Sequence, residues 1–419
     1  MKIRPSKSNE KLPLQLLLIV PFVLQIFAAV GLVGYLSFKN GQKAVNTLAD
    51  QLMERTSGTV NQHLDSYLSI PIKIIQMDAD AIQMGLLDVR DRKTVSKYFW
   101  HQLQAYDLTY IGIGLTTGAG AGAGRYDGKT VVIDDWDGKP PNKINSYATD
   151  NRGNLTTKIA DYEWNNFKES WYTEPLKAGK TVWSRIYSIN YPNYPYIVAS
   201  VGRPIYDVKN RLLGMVAADI HLLKLGDFLK RIDVSNSGQI FILERNGMLI
   251  ANSSKEQPFT ITNGEIKRLK AIDSPDPVIQ GITQQLQQSF NNLQGITKPK
   301  KLRFDLQGEP HYVTVKPWRD QYGLDWLIVV SVPERVFMAQ INANNTTTIY
   351  LCLGALGIAC AIGLFTSGWI TKPILKLSQT SEAMASGNLD QTVKPSGIKE
   401  LNTLANSFNY MVRQQSLAA

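Results

Sequence analysis

Residues 12–38 read LPLQLLLIVPFVLQIFAAVGLVGYLSF, 27 positions without a charge, bounded by Lys11 and Lys39. A second charge-free stretch lies between Arg335 and Lys372; its apolar part, 347–370, reads TTIYLCLGALGIACAIGLFTSGWI. Each exceeds the roughly 20 residues a helix needs to cross a hydrocarbon layer of about 30 Å. The 308 residues between them have the mixed polarity of a folded, water-exposed domain. The expectation is two membrane crossings with one large domain on a single side.

Charge sets the orientation. The tail, 1–11, carries Lys2, Arg4, Lys7 and Lys11 against Glu10, and short basic tails stay cytoplasmic. That puts 39–346 outside the cytoplasm and 371–419 back inside, where Lys372 and Lys376 flank the second span. The expected location is the cell membrane, multi-pass, with the large domain extracytoplasmic. The first stretch is too long for the 7–15-residue apolar core of a signal peptide, so it is read as a retained anchor. The net charge of +10 is scattered, with 36 basic and 31 acidic residues in 39–346 and no basic stripe, so no nucleic-acid partner is expected. Both cysteines, Cys352 and Cys360, fall in the second apolar stretch. The outer domain must then be stable without disulfides, which about 300 residues permit. His63, His101, His221 and His311 are widely spaced; no metal site and no cofactor are expected.

After the first anchor, Val45, Leu48, Leu52, Thr56, Val60, Leu64 and Tyr67 recur at spacings of three and four, predicting a stalk helix over 40–104 that Pro71 kinks or breaks. Strand-like runs follow at 110–115, 130–133, 181–189, 197–201 and 213–219. A second set begins at Gln239, where GQIFILERNGMLIANS (238–253) places an Asn246-Gly247 turn between two strands. A polar, Gln-rich helix over 275–293 and strands at 311–316 and 325–332 complete it. The outer domain is thus expected as two α+β units in tandem, 105–227 and 233–335.

Three chemical motifs fail on inspection. Gly118 to Gly124, GAGAGAG, precedes Gly128-Lys129-Thr130, but a phosphate loop requires glycine at 123, which is Ala123. That tract is read as a flexible hairpin loop. Asp135-Trp136-Asp137-Gly138 would put Ile133 and Ile144 at the first and twelfth positions of a calcium loop, where neither can coordinate; it is read as a turn. Asn154-Leu155-Thr156 and Asn345-Thr346-Thr347 match a glycosylation acceptor by composition only. No serine or cysteine stands in a nucleophile context, so no enzyme is expected.

The C-terminal piece opens TKPILKL (371–377) and ends in two amphipathic stripes. One is Ile374, Leu377, Ser381 and Met384; the other is Ile398, Leu401, Ala405, Phe408 and Val412. Two short helices are too few for a bundle, so two chains making four is the expected solution. Pro373 suits a first helical turn. In Pro373, Gly387 and Glu400-Leu401 this segment resembles the HAMP linker of bacterial transmembrane receptors, over 371–415, leaving 416–419 as a short end.

The outer domain, 39–346, resembles the double Cache sensor domain: two PAS-like antiparallel-sheet units on a long stalk helix, an α+β fold. The resemblance is carried by WYTEPLKAGKTVWSRIY (171–187), LGMVAADI (213–220) and GQIFILERNG (238–247). In amino-acid-binding members an arginine two residues before Trp-Tyr holds the ligand carboxylate, and a later strand-end aspartate pairs with the amine. Trp171, Tyr172, Tyr187 and Asp219 match that pattern, and Trp164 takes an upstream aromatic position. The arginine position is Glu169. A carboxylate there repels an anion, and with Asp219 and the rings it favours an amine or another cation.

The resemblance implies a signal-transduction receptor, homodimeric through HAMP and stalk, for a small extracytoplasmic ligand. The residues after HAMP carry no kinase, cyclase or methylation segment. The output is expected in a cytoplasmic kinase or other partner. The alternative is that the chain is the input half of a sensor histidine kinase, a chemoreceptor or a cyclase.

Overall fold

The computed structural model describes residues 14–191, 194–234, 237–290, 293–386 and 392–418. The basic tail and Gly387 lie outside the described residues, as does the side chain of Met384. The chain divides into two compact units, Thr47–Phe337 and the remainder toward both termini.

Helix α1 (Leu14–Gln83) is unbroken at Pro71, contrary to the expected kink, and the chain first turns at Gly85, φ 77°. An interior proline costs a helix about 3 kcal/mol. On either side of it, Leu64, Leu68, Ile74 and Ile75 are buried, and full burial of each such side chain returns about 1.5–3 kcal/mol. Tertiary packing therefore overrides the local signal. The buried stripe runs through Val45, Ala49, Met53, Thr56, Val60, Leu64 and Leu68; Leu48 is exposed. Helix α2 (Arg92–Ala105) starts at Asp91, which caps the Thr94 amide at 3.2 Å.

The first sheet contains β1 (Tyr110–Leu115), β2 (Gly120–Gly124), β3 (Val132–Trp136), β4 (Lys143–Thr149) and β5 (Leu155–Glu163). After α3 (Ser170–Ala178) come β6 (Val182–Trp183), β7 (Tyr187–Tyr191), β8 (Tyr194–Tyr206) and β9 (Leu212–His221). Their order is β5-β4-β3-β2-β1-β9-β8-β6, with β7 also paired to β8. The expected single strand over 181–189 is two strands, and β5, exposed along its whole length, lacks the apolar alternation that would announce it. The glycine-alanine tract is not a loop. It is β2, buried throughout, with Ala121 and Ala123 fully buried. The Asp135 to Gly138 motif likewise only half turns: Asp135 and Trp136 end β3, and the turn follows at Gly138, φ 72°.

Helix α4 (Leu223–Arg231) leads to the second set: β10 (Gln239–Glu244), β11 (Leu249–Asn252), the small hairpin β12 (Phe259–Thr262) and β13 (Glu265–Arg268), then α5 (Pro277–Ser289). Strands β14 (Lys300–Leu306), β15 (Glu309–Arg319) and β16 (Asp325–Pro333) close a sheet of order β11-β10-β16-β15-β14. Asp276 caps α5 through the Val278 and Ile279 amides, with Pro277 in the first turn. Trp318 donates to Asp65 on α1 at 2.7 Å, and Trp183 to Asp320 at 2.6 Å, tying the stalk to the second sheet and the two sheet units to each other.

In the other unit, α6 (Glu334–Ala385) is one continuous helix, so Pro373 lies in its interior rather than in a first turn. Helix α7 (Lys399–Ala418) follows. Leu377, Val393, Ala405, Phe408 and Val412 pack together. Asn409 holds Val393 from both sides, accepting from its amide at 2.9 Å and donating to its carbonyl at 2.8 Å. Ser381 is exposed; the buried small residue is Thr380, whose hydroxyl donates to the Lys376 carbonyl at 2.7 Å. Both α1 and α6 contain stretches long and apolar enough to cross a membrane. Leu24, Phe27 and Leu32 on α1, and Leu351, Leu364 and Phe365 on α6, are exposed, a surface that lipid suits better than water.

Candidate functional site

A cavity of about 610 Å³ opens on one face of the first sheet. Its floor follows from strand register. Residues paired across antiparallel strands point to the same face, as do positions two apart. One row runs Ala217, Gly112, Gly122, Asp134, Ser146, Ala160 across six strands. The next row runs Asp219, Tyr110, Gly124, Val132. The glycines make room for rings to lie flat on the sheet. A Cβ on Gly112 would stand 2.6 Å from the Tyr110 ring, and one on Gly124 2.7 Å from it. On Gly114 it would meet Trp171 at 2.8 Å. This is why β2 alternates glycine toward the cavity with alanine toward the helices.

The opposite wall is held by Asn166, which is buried. Its Oδ1 accepts from Trp136 at 3.1 Å and from Trp164 at 2.9 Å, while its Nδ2 donates to the Gly118 and Ala119 carbonyls. Trp164 thereby faces the cavity edge-on to Trp136 and Tyr162. Tyr187, Ser188 and Ile189 of β7 complete the enclosure.

Of the residues singled out in the sequence, Trp164, Glu169, Trp171, Tyr187 and Asp219 line this one cavity. Tyr172 does not. Neighbours on a helix point about 100° apart, so with Trp171 turned inward Tyr172 packs away from the cavity, against Phe167 and Trp171. Asn166, Tyr110, Tyr126, Asp134 and Ser146 were not legible in advance, because only the register of four strands brings them together.

The electrostatics are one-sided. No lysine, arginine or histidine lines the cavity among the described residues. Burial pushes Asp219 up to about 6, against the opposing effects of Ser200 and Tyr187. Tyr187 donates to Asp219 Oδ2 at 2.9 Å. The buried Ser200 hydroxyl lies opposite Asp219 in register, close enough to act on it. Asp134, wholly buried behind the wall, is also pushed up to about 6 by burial, and accepts from Tyr126 and Ser146, each at 2.5 Å. Glu169 precedes α3 without capping it, and its half-buried carboxylate has no side-chain partner among the described residues. Burial raises it, and Arg185 partly offsets this. Two acids, Glu169 and Asp219, among six aromatic rings, those of Tyr110, Tyr126, Tyr162, Trp164, Trp171 and Tyr187, make a site for positive charge.

Residues 41–341 match the family model described as Cache domain, and 365–415 match the HAMP domain. The methyl-accepting chemotaxis protein McpB of Bacillus subtilis is 24% identical over 246 residues, 57% of this chain and 31% of that protein. PctB of Pseudomonas aeruginosa, also a methyl-accepting chemotaxis protein, is 22% identical over 258 residues, 61% of this chain and 36% of that one. The chain thus spans about a third of the length of the curated relatives it matches. Among solved structures, a methyl-accepting chemotaxis protein X aligns at 18% identity with a TM-score of 0.45, covering 69% of this chain and 99% of the other. The ligand-binding domain of the PctB amino acid chemoreceptor in complex with L-Gln aligns at 16% identity with a TM-score of 0.41, covering 73% and 98%. With its model matched over most of the length, and a HAMP domain after it, the chain belongs to the Cache domain family.

Proposed function

We propose that this chain is a transmembrane signal-transduction receptor whose first-sheet cavity binds a small cationic ligand, an amine in the first instance. The observation that carries the ligand class is the presence of both Glu169 and Asp219 in one cavity lined by aromatic rings and, among the described residues, by no basic side chain. The PctB ligand-binding domain, solved in complex with L-Gln, gives the scale of ligand. Glu169 changes its charge: a carboxylate ligand group at that wall would meet an anion in place of a bidentate cation.

The route out is helical. Strand β16 ends at Pro333 and α6 begins at Glu334, continuing without interruption to Ala385. A displacement at the end of the sheet thus enters the span and then the HAMP segment directly. Signal passes to the extent that the ligand binds one arrangement of the helices better than another. HAMP helices from two copies complete a four-helix bundle, with 39–346 extracytoplasmic and a cytoplasmic kinase or other output protein receiving the signal. The chemotaxis relatives make a methyl-accepting output the first choice.

The test is calorimetry on the full chain in lipid nanodiscs, titrating 1-aminobutane and glycine. The amine binds and Asp219→Asn weakens it. Tight binding of the zwitterion, indifferent to D219N, would overturn the reading.

A further inference from the structure

The cavity holds more negative charge than one ammonium can neutralise, and the charges stand apart. Asp219 lies on the floor, on β9; Glu169 lies at the head of α3, on the wall. The Trp171 ring, two residues beyond Glu169, lies over Gly114, whose register partner is Met215, four residues from Asp219 along β9, or about 13 Å at 3.3 Å per residue. The two acids therefore stand at different ends of the cavity lining.

Asp134 is a different case. Each of its oxygens accepts from one hydroxyl, those of Tyr126 and Ser146, and it does not line the cavity. From Trp171 over Gly114, the next row of the floor is Gly112 and Ala217 and the one after it Tyr110 and Asp219, so the surface on the way is apolar or aromatic. A monoamine at Asp219 leaves Glu169 desolvated and unpaired, which is costly for a half-buried carboxylate. A ligand with a positive charge at each end and methylenes between answers all three surfaces.

We propose that the preferred ligand is a linear α,ω-diamine, one ammonium on Asp219 beside Tyr187, the other on Glu169, with its chain against the Trp171 ring. This rests on the cationic reading above and sharpens it to a dication. Glu169 becomes the residue that separates diamines from monoamines, and Asp219 the anchor common to both.

The experiment is calorimetry on the full chain in nanodiscs with 1,4-diaminobutane, 1,5-diaminopentane and 1-aminobutane. The expected result is a diamine at least about tenfold tighter than the monoamine, from one added charge-assisted pair. Glu169→Gln weakens the diamine far more than the monoamine and so removes most of the difference between them. Glu169 makes no side-chain hydrogen bond, so E169Q should melt as the parent does, which separates loss of selectivity from loss of fold. Equal affinities in the parent, or a diamine preference that survives E169Q, would overturn the diamine and leave the cationic reading standing. Binding of neither amine would overturn both.

Discussion

Tyr187 and Asp219 are joined by a 2.9 Å hydrogen bond although their strands, β7 and β9, do not pair with each other; each pairs with β8 between them. The bond closes one end of the cavity, and it opposes the rise that burial imposes on Asp219.

Removing it with Tyr187→Phe keeps the ring and the packing. A hydrogen bond to a charged group contributes about 1.5–3 kcal/mol. Amine affinity should therefore fall roughly tenfold or more, and the pH at which binding is half lost should move up. Titration calorimetry between pH 5 and 8 would show it; an unchanged pH midpoint would mean the bond does not tune Asp219.

The empty protein and its complex should respond to pH with opposite sign. Asp219 and Asp134 sit near 6 when folded, against 3.8 in a free chain. Between about pH 4 and 6 the folded state holds protons that the unfolded chain releases, so stability falls as pH rises through that window and levels off above it. The loss is on the order of 2–3 kcal/mol per group. Asp78, raised to about 7 by burial, extends the fall to higher pH, and His221, lowered to about 4 by burial, opposes it below pH 6.5. Exposed acids such as Asp161 at about 2 act only in the more acidic range. Cation affinity instead rises as Asp219 ionises. Without ligand, the melting temperature should be higher at pH 5.5 than at 7.5, and the amine-induced increase should be larger at 7.5. D134N should reduce the first dependence, Asp219 still contributing, and leave the second.

Gly122→Ala puts a methyl group into the Tyr110 hydroxyl. Overpacking of this kind costs about 1–3 kcal/mol. The ring has one open direction, the cavity, so amine affinity should fall along with stability. Adding Tyr110→Ala should recover part of the stability if the clash is the cause; urea melts of the single and double variants decide this.

Leu404→Pro tests the route to the cytoplasm. Leu404 is exposed on α7, so its own contacts are few, while proline in a helix interior costs about 3 kcal/mol. Ligand affinity should be unchanged. Any ligand-dependent change in the labelling rate of a cysteine placed on α7 should disappear. Coupling that survives would rule out the bundle mechanism.

Asn166→Ala removes the acceptor shared by Trp136 and Trp164. Burying two indole N–H groups without partners costs about 1–3 kcal/mol each. The variant should lose stability and amine affinity together, and the fluorescence of the indoles should shift to the red as Trp164 loosens.

Much of the architecture was legible from local pattern. Charge-free length marks the two spans, the Asn246-Gly247 turn marks the hairpin of β10 and β11, and the α7 stripe of Ala405, Phe408 and Val412 is buried as its spacing requires. These signals are local, so one chain displays them. Pro71 and Pro373 misled for the same reason: a proline advertises a local cost and says nothing of the packing or neighbouring helix that offsets it.

The glycine-alanine tract shows the other limit. Composition makes GAGAGAG look loose, yet tertiary structure makes most of it a central strand, because Tyr110 and Trp136 need the space its glycines leave. The sequence by itself determined that six candidate residues, Tyr172 among them, had the right chemistry, and that Glu169 stood where a cation was expected. Only the tertiary structure decided that Trp164, Glu169, Trp171, Tyr187 and Asp219 share one cavity, that Tyr172 turns away, and that Asp134 is spent on Tyr126 and Ser146. The physical reason is register: which side chains meet across six strands depends on pairings between residues up to about a hundred positions apart, and no local pattern encodes them.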